Sequence, residues 1–325
     1  MSALYPLTFN PIFKERVWGA RNLERLYSKK LPAGVPIGES WEITDRPGDV
    51  SVVNNGPLSG KDLHWLVENH RADLLGDATL EAGRFPLLIK LLDAQEKLSL
   101  QVHPPASKAA ELRGDPKTEM WFIADAVPDA ELYVGLKRGV TRADFERRIG
   151  DGSVAKCFHR AKVHAGDSMF LPSGRVHAIG AGLVIFEIQQ NSDTTYRVFD
   201  WNRVGLDGKP RELHIPQSLA SIDFNDFEPT LVSGARIVGT DFSTRRLVDH
   251  TLFTVDHYEV HQACEILLHR GRMRIVGVVS GEVQVSGPEK MKAVLRPGQF
   301  CLIPATSPGE LIAGVGAQFL CAQAG

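Results

Sequence analysis

The chain has 325 residues, 43% hydrophobic and 23% charged, the composition of a globular protein with room for a sizeable core. Its formal net charge of −2 gives bulk electrostatics no hold on nucleic acid or a charged membrane, so an anionic ligand must meet a local basic cluster. No apolar run approaches the ~20 residues needed to cross a bilayer, and the first residues lack a secretory leader's basic-then-apolar pattern, so a cytoplasmic location is expected.

Residues 1–60 are rich in Gly and Pro with short apolar runs and read as strands and loops. Over 61–81, Leu63, Leu66, Val67, Leu74 and Leu75 stand near helical spacing and predict one or two helices. The run 85–92 predicts a buried strand ending at Asp93, and 99–103 a second strand stopped by Pro104 and Pro105. A short helix is expected over 106–113, then strands over 120–124 and 131–135. Thr141, with a carboxylate three residues on, marks a capped helix start. Strands follow over 168–171 and 183–189, and a short helix within 211–224. From about 230 the helical pattern disappears and short strands alternate with Gly-Pro turns. The four cysteines, Cys157, Cys264, Cys301 and Cys321, form no CxxC pair and read as reduced core residues.

Gly166, five residues, then Pro172 is echoed by Gly298, five residues, then Pro304. The first copy continues through Gly174 to His177; the second has no histidine there. This pattern is that of a strand–turn–strand that carries a histidine into the mouth of a small antiparallel barrel. The fold class expected is mainly β, with two cupin (jelly-roll) β-barrels. Residues 1–230 would form a metal-binding barrel with small helices, and 231–325 a degenerate barrel without metal ligands.

Gln101 and His103 are two apart, so on a strand they share a face. With Glu119 and His177 they make a set of two imidazoles, a carboxylate and an amide oxygen, suited to a divalent metal with an open position. Zinc is the preferred ion; Fe(II), Mn or Co also suit these donors. The polar run after the apolar strand holds Asp193, able to move a proton, and Arg197, whose planar fork suits phosphate or a developing oxyanion. A solvated Asp–Arg surface pair is the competing reading. Lys117 lies two residues before Glu119 and would point with it. Lys90 and Glu42 are charges within apolar strand runs, which must be paired or functional.

These residues resemble the type I phosphomannose isomerase family in its shorter bacterial form. The resemblance is carried by Val17-Trp18-Gly19, Gly38-Glu39-Ser40-Trp41-Glu42-Ile43, the run from Leu88 to Ala94, Leu100-Gln101-Val102-His103-Pro104, Lys117-Thr118-Glu119-Met120-Trp121, the turn from Pro172 to Ala178, and Asn191-Ser192-Asp193 through Arg197. It implies one Zn2+ per chain on Gln101, His103, Glu119 and His177, and a catalytic Arg197 with Lys117 and Asp193 lining the site. It implies interconversion of mannose 6-phosphate and fructose 6-phosphate through a cis-enediol. Lys117, Lys90 and Arg203 are candidates for the phosphate, and Lys90, Glu42 and Arg203 for substrate binding. The longer members carry a histidine directly before the lysine, where Pro116 stands here, and a helical insertion that this chain lacks. The competing readings are an isomerase of another sugar or sugar phosphate, an Fe(II) dioxygenase on the same fold, and a non-catalytic sugar-binding cupin. Gln-x-His in place of His-x-His argues against the dioxygenase. A monomer is expected, because no long apolar helix or heptad is visible.

Overall fold

In the computed structural model, which describes residues 3–325, thirteen strands precede residue 200. They are β1 (Ile12–Ala20), β2 (Ile37–Ile43), β3 (Asp45–Arg46), β4 (Asp49–Val50), β5 (Leu87–Ala94), β6 (Leu100–Val102), β7 (Glu119–Ala126), β8 (Glu131–Leu136), β9 (Phe158–Lys162), β10 (Ser168–Leu171), β11 (His177–Ile179), β12 (Leu183–Gln190) and β13 (Tyr196–Phe199). Ten follow residue 235: β14 (Arg236–Val238), β15 (Phe242–Asp249), β16 (Phe253–Val260), β17 (Cys264–Leu267), β18 (Arg274–Ser280), β19 (Val283–Ser286), β20 (Lys292–Leu295), β21 (Phe300–Ile303), β22 (Glu310–Ala313) and β23 (Gln318–Ala324). No helix among the described residues is long and apolar enough to cross a membrane.

One six-stranded sheet has the order β1-β2-β5-β12-β7-β10, and a five-stranded sheet the order β13-β6-β11-β8-β9. The strands after 235 repeat this plan as β14-β15-β16-β23-β18-β21 and β17-β22-β19-β20. Taken in chain order, the eight strands β5 to β12 divide as first-eighth-third-sixth and second-seventh-fourth-fifth. That is the double Greek-key order of a jelly roll. The Gly-x5-Pro echo is therefore the visible trace of a whole-fold repeat. In both copies the glycine has positive φ (92° at Gly166, 75° at Gly298), and the run forms the last strand of its six-stranded sheet.

The central strands bury both faces, which is why they read as continuous apolar runs rather than as alternation. Their odd and even residues nevertheless go to different cores. Leu92, Trp121, Ile123 and Ile185 face the interior of the first barrel. Leu91, Phe122, Phe186 and Ile188 face outward and share one core with Phe253, Ile275, Phe300 and Leu320 from the second half. Phe186 is fully buried, 5.4 Å from Phe300 and 5.8 Å from Tyr27 between ring centroids. Phe186→Ala is expected to cost about 3–5 kcal/mol, read as a lower denaturant midpoint at unchanged slope.

Helices fill the gaps between strands. α1 (Asn22–Tyr27) falls in a stretch that reads as strand and loop. α2 (Leu63–Leu75) matches the expected spacing but breaks its helical angles at His70. α3 (Ala106–Ala109) is a single turn, shorter than the run 106–113 suggests. α4 (Arg142–Gly150) begins with the expected capping box between Thr141 and Asp144, and α5 (Ile215–Ser221) sits within 211–224. All four cysteines carry free thiols.

Candidate metal centre and active site

Lys90, Glu119 and Glu187 occupy barrel-facing positions, in step with Leu92, Ile123 and Ile185. The register sets Lys90 directly opposite Glu187 and Glu119 opposite Gln189. The apolar residues close the bottom of the barrel, and the charged ones gather at its other end.

The candidate ligand set comes from both sheets. Glu119 opens β7; on the facing sheet, His177 opens β11 and pairs with Gln101 of β6. Gln101 pairs on its other side with Arg197 of β13, so Arg197, Gln101 and His177 form one row across three strands. His103 lies just beyond the end of β6. Its Nδ1 is 2.7 Å from the carbonyl of Thr194, and Nδ1 of His177 is 3.0 Å from the carbonyl of Arg175. A carbonyl only accepts, so each Nδ1 carries the proton and each Nε2 turns a lone pair inward. Those Nε2 atoms lie 3.6 Å (His103) and 3.3 Å (His177) from Oε1 of Glu119.

This arrangement fits a divalent ion. Nε2 of His103 and Oε1 of Glu119 are buried without a hydrogen-bond partner, an omission that costs about 1–3 kcal/mol per atom. Ligand atoms about 2.1 Å from a tetrahedral ion stand roughly 3.4 Å apart, close to the spacings found. Burial, aided by Lys117, lowers the pKa of His103 to about 4, and burial also lowers that of His177. Both rings are therefore neutral, as ligation requires. Burial opposes ionisation of Glu119, but the Lys117 ammonium at 2.8 Å outweighs it and holds the carboxyl well below its usual range. Gln101 turns its amide nitrogen to His177 at 3.3 Å; a half-turn of the amide presents oxygen instead.

A cavity of about 550 Å³ opens beside this cluster. Of the residues expected from sequence, Gln101, Lys117, Lys90, Asp193 and Arg197 line it. Its floor is a chain of alternating charges: Arg16 to Glu39 (2.8 Å), Glu39 to Lys90 (3.8 Å), Lys90 to Glu187 (3.3 Å), Glu187 to Lys117 (3.9 Å) and Lys117 to Glu119 (2.8 Å). Burial works against Glu39, yet Lys90 and Arg16 bring its pKa down to about 2. Trp41 and Trp121 donate their indole N–H groups to Glu39 and Glu187 at 2.7 and 2.9 Å. Trp18 also reaches the cavity, from a bulge of β1 where Gly19 presses on β2 so closely that a Cβ there would lie 2.4 Å from the Gly38 nitrogen.

Two expected substrate-binding residues lie elsewhere. Glu42 shares its face of β2 with Ser40, away from Glu39 and Trp41. It accepts from Lys29 at 2.7 Å and Ser40 at 2.6 Å, and lines a second cavity beside Phe9 and Val294. Arg203 is bound to Asp200 and does not line the active cavity. Sequence reasoning missed Glu39, Glu187, Arg16 and Arg211. Glu187 carried a usable signal, a lone charge in an apolar strand like that of Lys90. Arg211, in a loop, carried none.

In the second barrel the ligand positions hold other residues. Glu119 pairs with Leu171, just before Pro172; Arg274 pairs with Ile303, just before Pro304. His177 is five residues after Pro172, and the equivalent residue after Pro304 is Gly309, whose carbonyl accepts from the backbone of Leu268 where Gln101 would stand. A cation, a glycine and a leucine cannot bind a metal.

The model of the phosphomannose isomerase type I catalytic domain matches residues 7–120. The chain is 36% identical to mannose-6-phosphate isomerase ManA of Bacillus subtilis over 305 residues, covering 92% of this chain and 93% of that protein. It is 33% identical to the mannose-6-phosphate isomerase of Streptococcus mutans, covering 93% of each. The crystal structure of the Bacillus subtilis mannose 6-phosphate isomerase superposes with a TM-score of 0.89 at 30% identity, covering 98% of this chain and 99% of that one. Similarity of sequence and structure along nearly the whole length, over a barrel mouth with these donors in place, establishes that the chain belongs to the type I phosphomannose isomerase family.

Proposed function

We propose that this protein is a mannose-6-phosphate isomerase, acting in the cytoplasm as a monomer with one zinc ion held by Gln101, His103, Glu119 and His177. The observation that carries the reading is the convergence of bare, buried His103 Nε2 and Glu119 Oε1 beside a charged cavity, in a member of this family. When bound, zinc supplies positive charge to the sugar oxygens.

The chain's own residues account for the rest. Isomerisation moves a proton from C2 of the aldose to C1, while the hydroxyl proton on O2 is lost and O1 gains one. Negative charge develops on oxygen in the cis-enediol transition state. Arg197 adjoins Gln101 with a buried Nε that has no partner, so a guanidinium donor is free to meet that charge. Lys117, whose ammonium is kept charged by Glu119 and Glu187 against the cost of burial, donates to a sugar oxygen. Asp193 is exposed at the cavity and unpaired among the described residues, which suits it to carry the proton between C2 and C1. Lys90 orients the sugar from the floor.

A coupled assay of mannose 6-phosphate to fructose 6-phosphate conversion tests this as purified, after chelation and after zinc return. Activity is expected to fall at least about 10²-fold with chelator and to return with zinc. Absence of activity in protein that verifiably carries metal would refute the substrate assignment.

A further inference from the structure

The cations lining the cavity fall into two groups. On the floor each has a buried carboxylate: Arg16 has Glu39, Lys90 has Glu187 and Lys117 has Glu119. Along the segment 197–211 the balance differs. Arg203 and Arg211 share one buried carboxylate, Asp200, which is 5% exposed; Arg203 also has the exposed Glu96 at 3.9 Å, and Arg197 donates from Nη1 to the Glu212 carbonyl at 2.8 Å. Asp200 accepts from Nε and Nη2 of Arg211, both at 2.6 Å, and from Nε and Nη2 of Arg203 at 3.0 and 2.9 Å. Arg203 gives a further donor to the Lys97 carbonyl. Arg211 has no partner besides Asp200 among the described residues, and it lines the cavity.

The backbone between these residues is strained. Trp201 and Asn202 both take left-handed angles, φ 56° and 57°, a conformation that costs a non-glycine residue about 1–3 kcal/mol. Trp201 is pinned by its indole N–H, which donates to the Leu98 carbonyl at 2.7 Å. The tight turn folds Arg203 back onto Asp200 and so fixes the carboxylate that holds Arg211.

We propose that Arg211, aimed by Asp200, receives the phosphate of the substrate and selects phosphorylated over unphosphorylated sugar. The proposal rests on the sugar-phosphate isomerase reading. A phosphate placed on the floor would face Glu39, Glu119 and Glu187. At Arg211 it meets a segment on which Arg197, Arg203 and Arg211 outnumber the buried Asp200 and the cavity-lining Asp207, and a planar fork suited to two parallel hydrogen bonds. Burial chiefly, and then the charge of Arg211, lower the pKa of Arg197. Asp200 is a positioning residue in this scheme.

Arg211→Gln and Arg211→Lys, with the parent, are assayed on mannose 6-phosphate and on mannose, and titrated calorimetrically with inorganic phosphate. In Arg211→Gln, KM for mannose 6-phosphate and the dissociation constant of phosphate are expected to rise about 10- to 100-fold, with kcat within about threefold. The preference for the phosphorylated sugar falls by the same factor, and Arg211→Lys recovers part of it. Asp200→Asn moves the same constants in the same direction, and melting curves show that each variant is folded. Loss of kcat at unchanged KM, or unaltered phosphate binding, overturns the proposal. A parent that binds phosphate through Arg211 yet isomerises neither sugar upholds this inference and refutes the isomerase reading. A parent that binds no phosphate and isomerises neither sugar refutes both.

Discussion

Glu119→Gln is expected to lose the divalent metal and to fall in kcat/KM by at least about 10³-fold, the several kcal/mol a catalytic ion supplies. The carboxylate has two duties. Oε1 faces both imidazoles, at 3.6 and 3.3 Å, and Oε2 holds the Lys117 ammonium at 2.8 Å. A glutamine brings one neutral oxygen to two tasks. It also strands Lys117, 5% exposed, with Glu187 at 3.9 Å as its nearest carboxylate. An uncompensated buried charge of this kind costs about 3–5 kcal/mol, so the variant should also melt earlier. The two effects separate in Lys117→Met/Glu119→Gln, which is expected to regain stability without regaining metal. Metal content by elemental analysis, set beside the melting temperature, decides the matter. Stoichiometric metal and normal activity in Glu119→Gln would remove this residue from the ligand set.

Arg197→Ala is expected to lower kcat by about 10²–10³-fold with KM changed far less, as when a preorganised donor to a developing oxyanion is lost. The reason is its place in the row Arg197–Gln101–His177, next to a candidate ligand and lining the cavity, with a buried Nε that has no partner. Arg197→Lys keeps the charge but not the fork and should recover only part of the loss. Steady-state kinetics distinguish the proposed roles of the two arginines: a loss of kcat is expected at Arg197 and a rise in KM at Arg211. A rise in KM at constant kcat in Arg197→Ala would make it a binding residue and leave oxyanion stabilisation to another group.

The candidate ligand set was legible because its chemistry stands out against its surroundings. Gln101 and His103 are polar residues at a strand's end, and His177 follows a Gly-Pro-Gly turn that no apolar core would dictate. The repeat was legible for a similar reason: its two glycines have positive φ and its two prolines end strands, so backbone geometry keeps the pattern in a half whose equivalent positions hold other residues. What escaped reading depended on register or had no period. Choosing Glu42 over Glu39 is a choice between the two faces of β2, settled by what lies across the sheet and not by local sequence. Arg203 and Arg211 look alike in a loop. Only the left-handed turn at Trp201 and Asn202 shows which is folded away and which reaches the cavity. The six residues of α1 are too few for a helical period to appear.

The core that Phe122 and Phe186 share with Phe253 and Phe300 limits how this chain can be recombined. A chimera joining the first half of one family member to the second half of another would bring together side chains shaped in different lineages. Packed interiors register even a methylene of misfit, so such a hybrid keeps its barrels intact while their seam loosens. Grafting the facing aromatics as a set is the route to a working hybrid, and descent with variation meets the same constraint: the rims of the two halves are free to diverge separately, whereas the seam must change in concert.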